Sequence, residues 1–153
     1  MGYEERLKEM GIVLPEAPRP VAAYIPFVTV NDLVFVSGQL PMADGALRYS
    51  GRVGDNLTVE EGQAAARLCA VNCLAVARAA AGNLDRVLQV VKLTGYVASA
   101  PDFHKQPQVL NGASEFLEAV FGAAGRHSRA AVGVSALPLG APVELEMIVR
   151  ISI

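Results

Sequence analysis

The chain has 153 residues, and 13 Lys and Arg against 15 Asp and Glu leave a net charge of −2. Hydrophobic residues make up 52% and charged residues 18%, which excludes a disordered chain and argues against nucleic acid as a partner, since a dedicated binder carries a basic excess. The length suits one domain, and a body this small has much surface for its volume, so some of the apolar surplus is expected to form an interface between chains.

Residues 3–10 read as a short helix, with Leu7 and Met10 three apart. The opening stretch has neither a basic n-region nor an apolar h-region, so no signal peptide is expected. Arg6 stands where a myristoylation motif needs Ser or Thr. Residues 14–26 hold Pro15, Pro18, Pro20 and Pro26. They read as a stiff extended arm, because proline fixes φ and lacks a donor. Residues 27–38 look like a hairpin turning at Asn31-Asp32. Residues 43–57, with Gly45, Gly51 and Gly54, read as a loop.

Thr58 and Glu61 form a capping box, and Gly82 is the matching C-cap of a long Ala-rich helix. Leu68, Val71, Leu74 and Ala75 share one face of it by spacing. Cys69 and Cys73, four apart on one face, read as small buried thiols. The cytoplasm is then the default compartment. Residues 86–98 read as a strand, broken by Ala100-Pro101-Asp102. A second helix covers about 104–121, with Leu110, Ala113, Leu117 and Val120 as its apolar face and Pro107 in its first turn. Residues 129–136 form a strand of small residues, and 137–142 a loop. The last strand alternates: Val143, Leu145, Met147, Val149 and Ile151 face one way, Glu144, Glu146, Ile148 and Arg150 the other. The longest apolar stretches are interrupted before the ~20 residues of a membrane span, so no membrane partner is expected.

The order β-β-α-β-α-β-β predicts a single α+β domain over residues 1–153, with residues 1–26 as an N-terminal helix and Pro-rich arm. One sheet with two helices on one face is the economical architecture. The other face then has no cover within the chain, although Ile148 and several valines lie on it. This again asks for a partner subunit.

No P-loop, dinucleotide fingerprint, His-Glu-x-x-His, Cys-x-x-Cys or Gly-x-Ser-x-Gly motif is present, so neither a cofactor nor a metal is expected. The chemistry must rest on side chains, backbone groups and water. Arg129 opens a strand whose same-face neighbours, Ala131 and Gly133, are small. Space beside a guanidinium suits a carboxylate or phosphate. Ser37-Gly38-Gln39 ends an apolar strand, where glycine lets backbone approach a ligand. Glu144 lies opposite the apolar stripe of the last strand. Each feature also fits a plain reading: a solvated strand-end arginine, an ordinary turn and a solvent-facing carboxylate. His127, two residues before Arg129, is read as a bystander.

Taken in series, these pieces resemble the RidA/YjgF family of reactive-intermediate deaminases, also named endoribonuclease L-PSP. The matching segments are Val36-Ser37-Gly38-Gln39-Leu40-Pro41, Asp85-Arg86-Val87, Val91 to Val97, Asn111, Arg129 to Val134, Leu137-Pro138, and Pro142 to Glu146. They span about residues 20–153 in the family's order. The resemblance implies a chorismate-mutase-like fold and a homotrimer with ligand clefts between subunits. It implies metal-free hydrolysis of enamine and imine intermediates, such as 2-aminoacrylate and 2-iminopropionate, to 2-keto acids and ammonia. Carried over by position, Arg129 grips the substrate carboxylate and Glu144 orients or activates water. Tyr24, Ser37, Gly38, Asn111 and Ala131 line the cleft. Ala131 stands where archetypal members often have a cysteine. The N-terminal 20 residues and the 43–57 loop exceed the compact archetype, which marks a longer subgroup. Two other readings stay open: a module that binds a small carboxylate or 2-keto acid without turnover, and the endoribonuclease role in the family's older name, against which the acidic charge argues.

Overall fold

The computed structural model describes all 153 residues. Helix α1 (Tyr3–Glu9) is followed by the proline-rich arm, then by strands β1 (Phe27–Val30) and β2 (Leu33–Gln39). A two-residue hairpin, β3 (Met42–Ala43) with β4 (Ala46–Leu47), lies within the segment expected to be loop from residue 43. Its turn uses Asp44 and Gly45, both at positive φ. Next come α2 (Val59–Ala81), β5 (Val87–Ala98), α3 (Gln106–Phe121), β6 (Ser128–Val134) and β7 (Val143–Ile151).

The sheet order is β1-β2-β7-β5-β6, antiparallel except for the parallel pair β5 and β6. That parallel step requires a crossover, and α3 supplies it. Helices α2 and α3 lie against the same face, so the expected mixed sheet with helices on one side is what forms. The β1–β2 turn falls at Asn31-Asp32 as expected, with Asn31 left-handed. There the Arg150 guanidinium meets Asp32 at 2.7 Å and holds its carboxyl below the usual range.

Helix α2 starts on the predicted capping box. The Glu61 backbone N–H donates to Thr58 Oγ1, and Thr58 N–H donates to the Glu61 carboxylate, both at 3.1 Å. It ends at Gly82, whose φ of 84° is the left-handed C-cap conformation. Its buried face keeps Leu74 and Ala75 of the expected one, but Leu68 and Val71 are only half-buried, whereas Ala65, Ala66, Cys69, Ala70, Cys73, Val76 and Ala77 are sealed. The physical reason is distance: small side chains let the helix axis settle close to β7. The Cys69 and Cys73 thiols donate to the Val143 and Leu145 carbonyls, both at 3.5 Å. Burial pushes both thiols far up, which leaves them unreactive. The helix is also long and apolar enough to cross a membrane, contrary to the sequence expectation. Its apolarity is spent instead on the core between the sheet and α3.

The N-terminal segment is tied back to the body. The Tyr3 ring meets Phe121 edge-on at 4.6 Å, and the Arg6 guanidinium donates to the Val120 carbonyl at 2.8 Å. Helix α1 thus braces the C-terminal end of α3. Buried Asn72 donates to the Leu40 and Met42 carbonyls at 2.9 and 3.0 Å, fixing the chain as it leaves β2. Gly95 of β5 leaves room for the fully buried Leu110 of α3 to lie directly on the strand. Leu110→Ala should open a cavity there and lower unfolding free energy by about 2–5 kcal/mol in denaturant titration.

Candidate active site

Residues facing the helices alternate along β5 with those facing away. Leu93, Gly95 and Val97 point to α3, and Thr94 and Tyr96 point to the uncovered face. The pairing β5 to β6 sets Leu93 opposite Arg129, Gly95 opposite Ala131 and Val97 opposite Gly133. Arg129 therefore lies on the helix side, at the sheet's edge strand. Its Nη1 donates to Asn111 Oδ1 at 2.9 Å and to Ser114 Oγ at 3.1 Å. Asn111 and Ser114 stand one turn apart on α3 and meet the same nitrogen. The side-on Nε–Nη2 edge makes no hydrogen bond, and no carboxylate of the chain pairs with it. That edge is the one that grips a carboxylate with two parallel bonds. Ala131 follows on the same face and is half-buried.

His127 also belongs here, contrary to its reading as a bystander. Its Nε2 lies 2.9 Å from Ser114 Oγ, and its Nδ1 lies 2.6 Å from the Gly125 carbonyl. A polar cavity of about 340 Å³ opens beside the group, lined by Asn111, Ser114, Glu118, His127 and Arg129 among others. Sequence reasoning missed Ser114. The available signal was its spacing of three from Asn111, which puts both on one helical face.

The remaining candidates collect on the uncovered face. Glu144 of β7 pairs with Tyr96 of β5, on the side away from the helices. Gly38 sits against it: a Cβ there would meet the Glu144 carboxylate. A side chain there would have to displace the Glu144 carboxylate from its present position. Ser37 Oγ donates to the Ile25 carbonyl at 2.8 Å, which brings the arm, with exposed Tyr24 next in chain, to the end of β2. The Tyr96 hydroxyl donates to Glu146 at 2.8 Å. That bond, with burial and the nearby negative charges, raises the Tyr96 phenol. Glu144 accepts no such bond. Burial pushes its carboxyl above the ordinary range, and the Glu146 charge adds to the shift. No three His, Cys, Asp or Glu side chains converge anywhere in the chain as metal ligands.

The predicted site residues therefore form two clusters. Asn111, Arg129 and Ala131 lie together on the helix side. Ser37, Gly38 and Glu144, with Tyr24 alongside, lie toward the other face. Between the strands of Arg129 and Glu144 stands β5, so the two backbones are about 10 Å apart across the sheet, and their side chains point to opposite sides.

This is a one-sided, mixed-sheet α+β domain of the chorismate-mutase-like class. The sequence model of the family described as "YjgF/chorismate_mutase-like, putative endoribonuclease" matches residues 4–149. The chain is 47% identical over 147 residues to Protein TCP17 of Trypanosoma cruzi, covering 95% of this chain and 92% of that protein. It is 32% identical over 140 residues to a 2-iminobutanoate/2-iminopropanoate deaminase of Dermatophagoides farinae, covering 92% and 94%. Its fold matches the crystal structure of protein Atu1372 of Agrobacterium tumefaciens, of unknown function, with a TM-score of 0.91 and 47% identity over 99% of this chain and 92% of that one. The chain belongs to the RidA/YjgF family.

The raised Glu144 carboxyl has a thermodynamic consequence. Its native form holds a proton more tightly than the unfolded chain does, so stability falls as pH rises from the unfolded pKa through the raised native one. Glu144→Gln removes that loss. Thermal denaturation should show the variant more stable than the parent at about pH 7, with the gain vanishing below about pH 4, where the carboxyl is protonated in both states.

Proposed function

We propose that the protein hydrolyses reactive enamine and imine intermediates of the 2-aminoacrylate and 2-iminopropionate type, giving 2-keto acids and ammonia. The observation that carries this reading is the Arg129 guanidinium: one nitrogen is anchored on α3 and the bidentate edge is left open for a carboxylate. A relative named as a 2-iminobutanoate/2-iminopropanoate deaminase supports the reaction class.

The chemistry needs no covalent nucleophile. An imine carbon is already electrophilic, and holding it against a water removes much of the entropic cost of their meeting. Glu144 takes a proton from that water, adding about 10²–10⁴-fold. A carboxyl raised toward the working pH suits this role better than an ordinary one. Water adds to the C=N carbon, a proton moves to nitrogen, and the carbinolamine collapses to a keto acid and ammonia. Asn111 holds the arginine in place. Tyr24, Ser37 and the backbone at Gly38 and Ala131 complete the cleft.

A small substrate cannot reach Arg129 and Glu144 of one chain, because they lie on opposite faces of its sheet. The working site in this reading joins Arg129 of one subunit to Glu144 of a neighbour in a homotrimer. The uncovered face offers the contact: Val28, Val30, Phe35 and Val132 are 41–52% exposed on it. Sedimentation or gel filtration should give a trimer mass, and a monomeric species should be inactive.

Purified protein should accelerate 2-iminopropionate hydrolysis, and a rate no greater than buffer would refute the deaminase reading. Arg129→Ala should abolish turnover and, where the neighbouring subunit buries the pair, weaken carboxylate binding by about 2–5 kcal/mol. Arg129→Lys should not restore it, since an ammonium lacks the fork. Carboxylate binding without turnover in the wild type would identify a binding module instead.

A further inference from the structure

The hydrogen bonds around Ser114 have a fixed direction. The Gly125 carbonyl can only accept, so the 2.6 Å contact places the proton of neutral His127 on Nδ1. Nε2 is then an acceptor, and the Ser114 hydroxyl donates to it at 2.9 Å. With its proton committed, the Ser114 oxygen turns its lone pairs toward Arg129 Nη1 at 3.1 Å. The chain of donors runs Arg129 to Ser114 to His127. We propose that His127, acting through Ser114, is a positioning residue that holds the Arg129 guanidinium for carboxylate binding.

Without the ring acceptor the Ser114 hydroxyl has no partner to fix its rotation, and its lone pairs are no longer aimed at Nη1. The guanidinium then keeps only Asn111 as a fixed anchor.

This inference rests on the reading of Arg129 as the carboxylate grip, and pyruvate is a suitable probe because binding is read without turnover. In calorimetric titrations, Kd for pyruvate should weaken about tenfold in His127→Leu and in Ser114→Ala, the factor of one charge-assisted hydrogen bond. His127→Gln keeps an amide acceptor near the Nε2 position, so it should bind as the wild type does. Nitrogen-detected NMR of the unliganded protein should show the neutral ring of His127 in the Nδ1–H form. An Nε2–H form, or a His127→Gln variant that binds as weakly as His127→Leu, would each overturn the proposal. If Arg129→Ala binds pyruvate as well as wild type, the grip itself fails. If Arg129→Ala loses binding while the His127 and Ser114 variants do not, only the relay fails.

Discussion

A five-stranded sheet has two faces to cover, and this chain carries helix enough for one. Helices α2 and α3 seal the side formed by Val143, Leu145, Met147 and Val149 of β7 and by Leu93 and Val97 of β5, all nearly inaccessible. The seal is close because α2 offers mainly alanine and two cysteines there, and the thiols reach the β7 carbonyls. The opposite side keeps Phe35, Ile148 and Val132 beside Glu144, Glu146 and Tyr96. That mixture explains the electrostatics of the face. Apolar neighbours and a second carboxylate together resist the ionisation of Glu144.

The same topology puts Arg129 where it is. Strand β6 pairs only with β5 and forms the sheet's edge. A long side chain there, on the helix side, can turn around the end of the layer toward α3. The residues that follow it on its face, Ala131 and Gly133, are small and leave the guanidinium unobstructed. Asn111 and Ser114 sit on the facing turn of α3 and share one nitrogen, so the planar group presents its other edge outward. Gly125 and His127 close the connection between α3 and β6 behind it.

Much of this was legible in the sequence where a local rule decides the outcome. Thr58 with Glu61 marked the start of α2, Gly82 its end, and the strict alternation from Val143 to Ile151 divided the last strand between two environments. The face of α2 was half legible: Leu74 and Ala75 are buried as periodicity indicates, but close packing against β7 draws in the alanines and cysteines in place of Leu68 and Val71. The β3–β4 hairpin escaped because two-residue strands carry no periodicity, and the Asp44-Gly45 turn signal stood alone. Arg129 came as a candidate from its small same-face neighbours and Asn111 through resemblance, with their contact unseen. Ser114 and His127 were illegible for another reason. Their meeting depends on how α3 lies against the start of β6, and no spacing within either segment encodes that.

The separation of the two clusters bears on why the apolar surplus and the chemistry belong to one design. If Arg129 and Glu144 faced each other within a chain, the guanidinium would pair with the carboxylate and hold its pKa low, and both would be spent. Opposite faces prevent that pairing in the free subunit. In the proposed trimer, a neighbour covering the open face would desolvate Glu144 further and raise its carboxyl, while a bound substrate carboxylate would offset the charge of Arg129. In that trimer the apolar residues of the open face would both drive association and help keep the Glu144 carboxyl above the ordinary range. In that reading a charged substitution at Phe35 or Ile148 would act on both at once, so assembly and proton transfer would not be separable by mutation of that face.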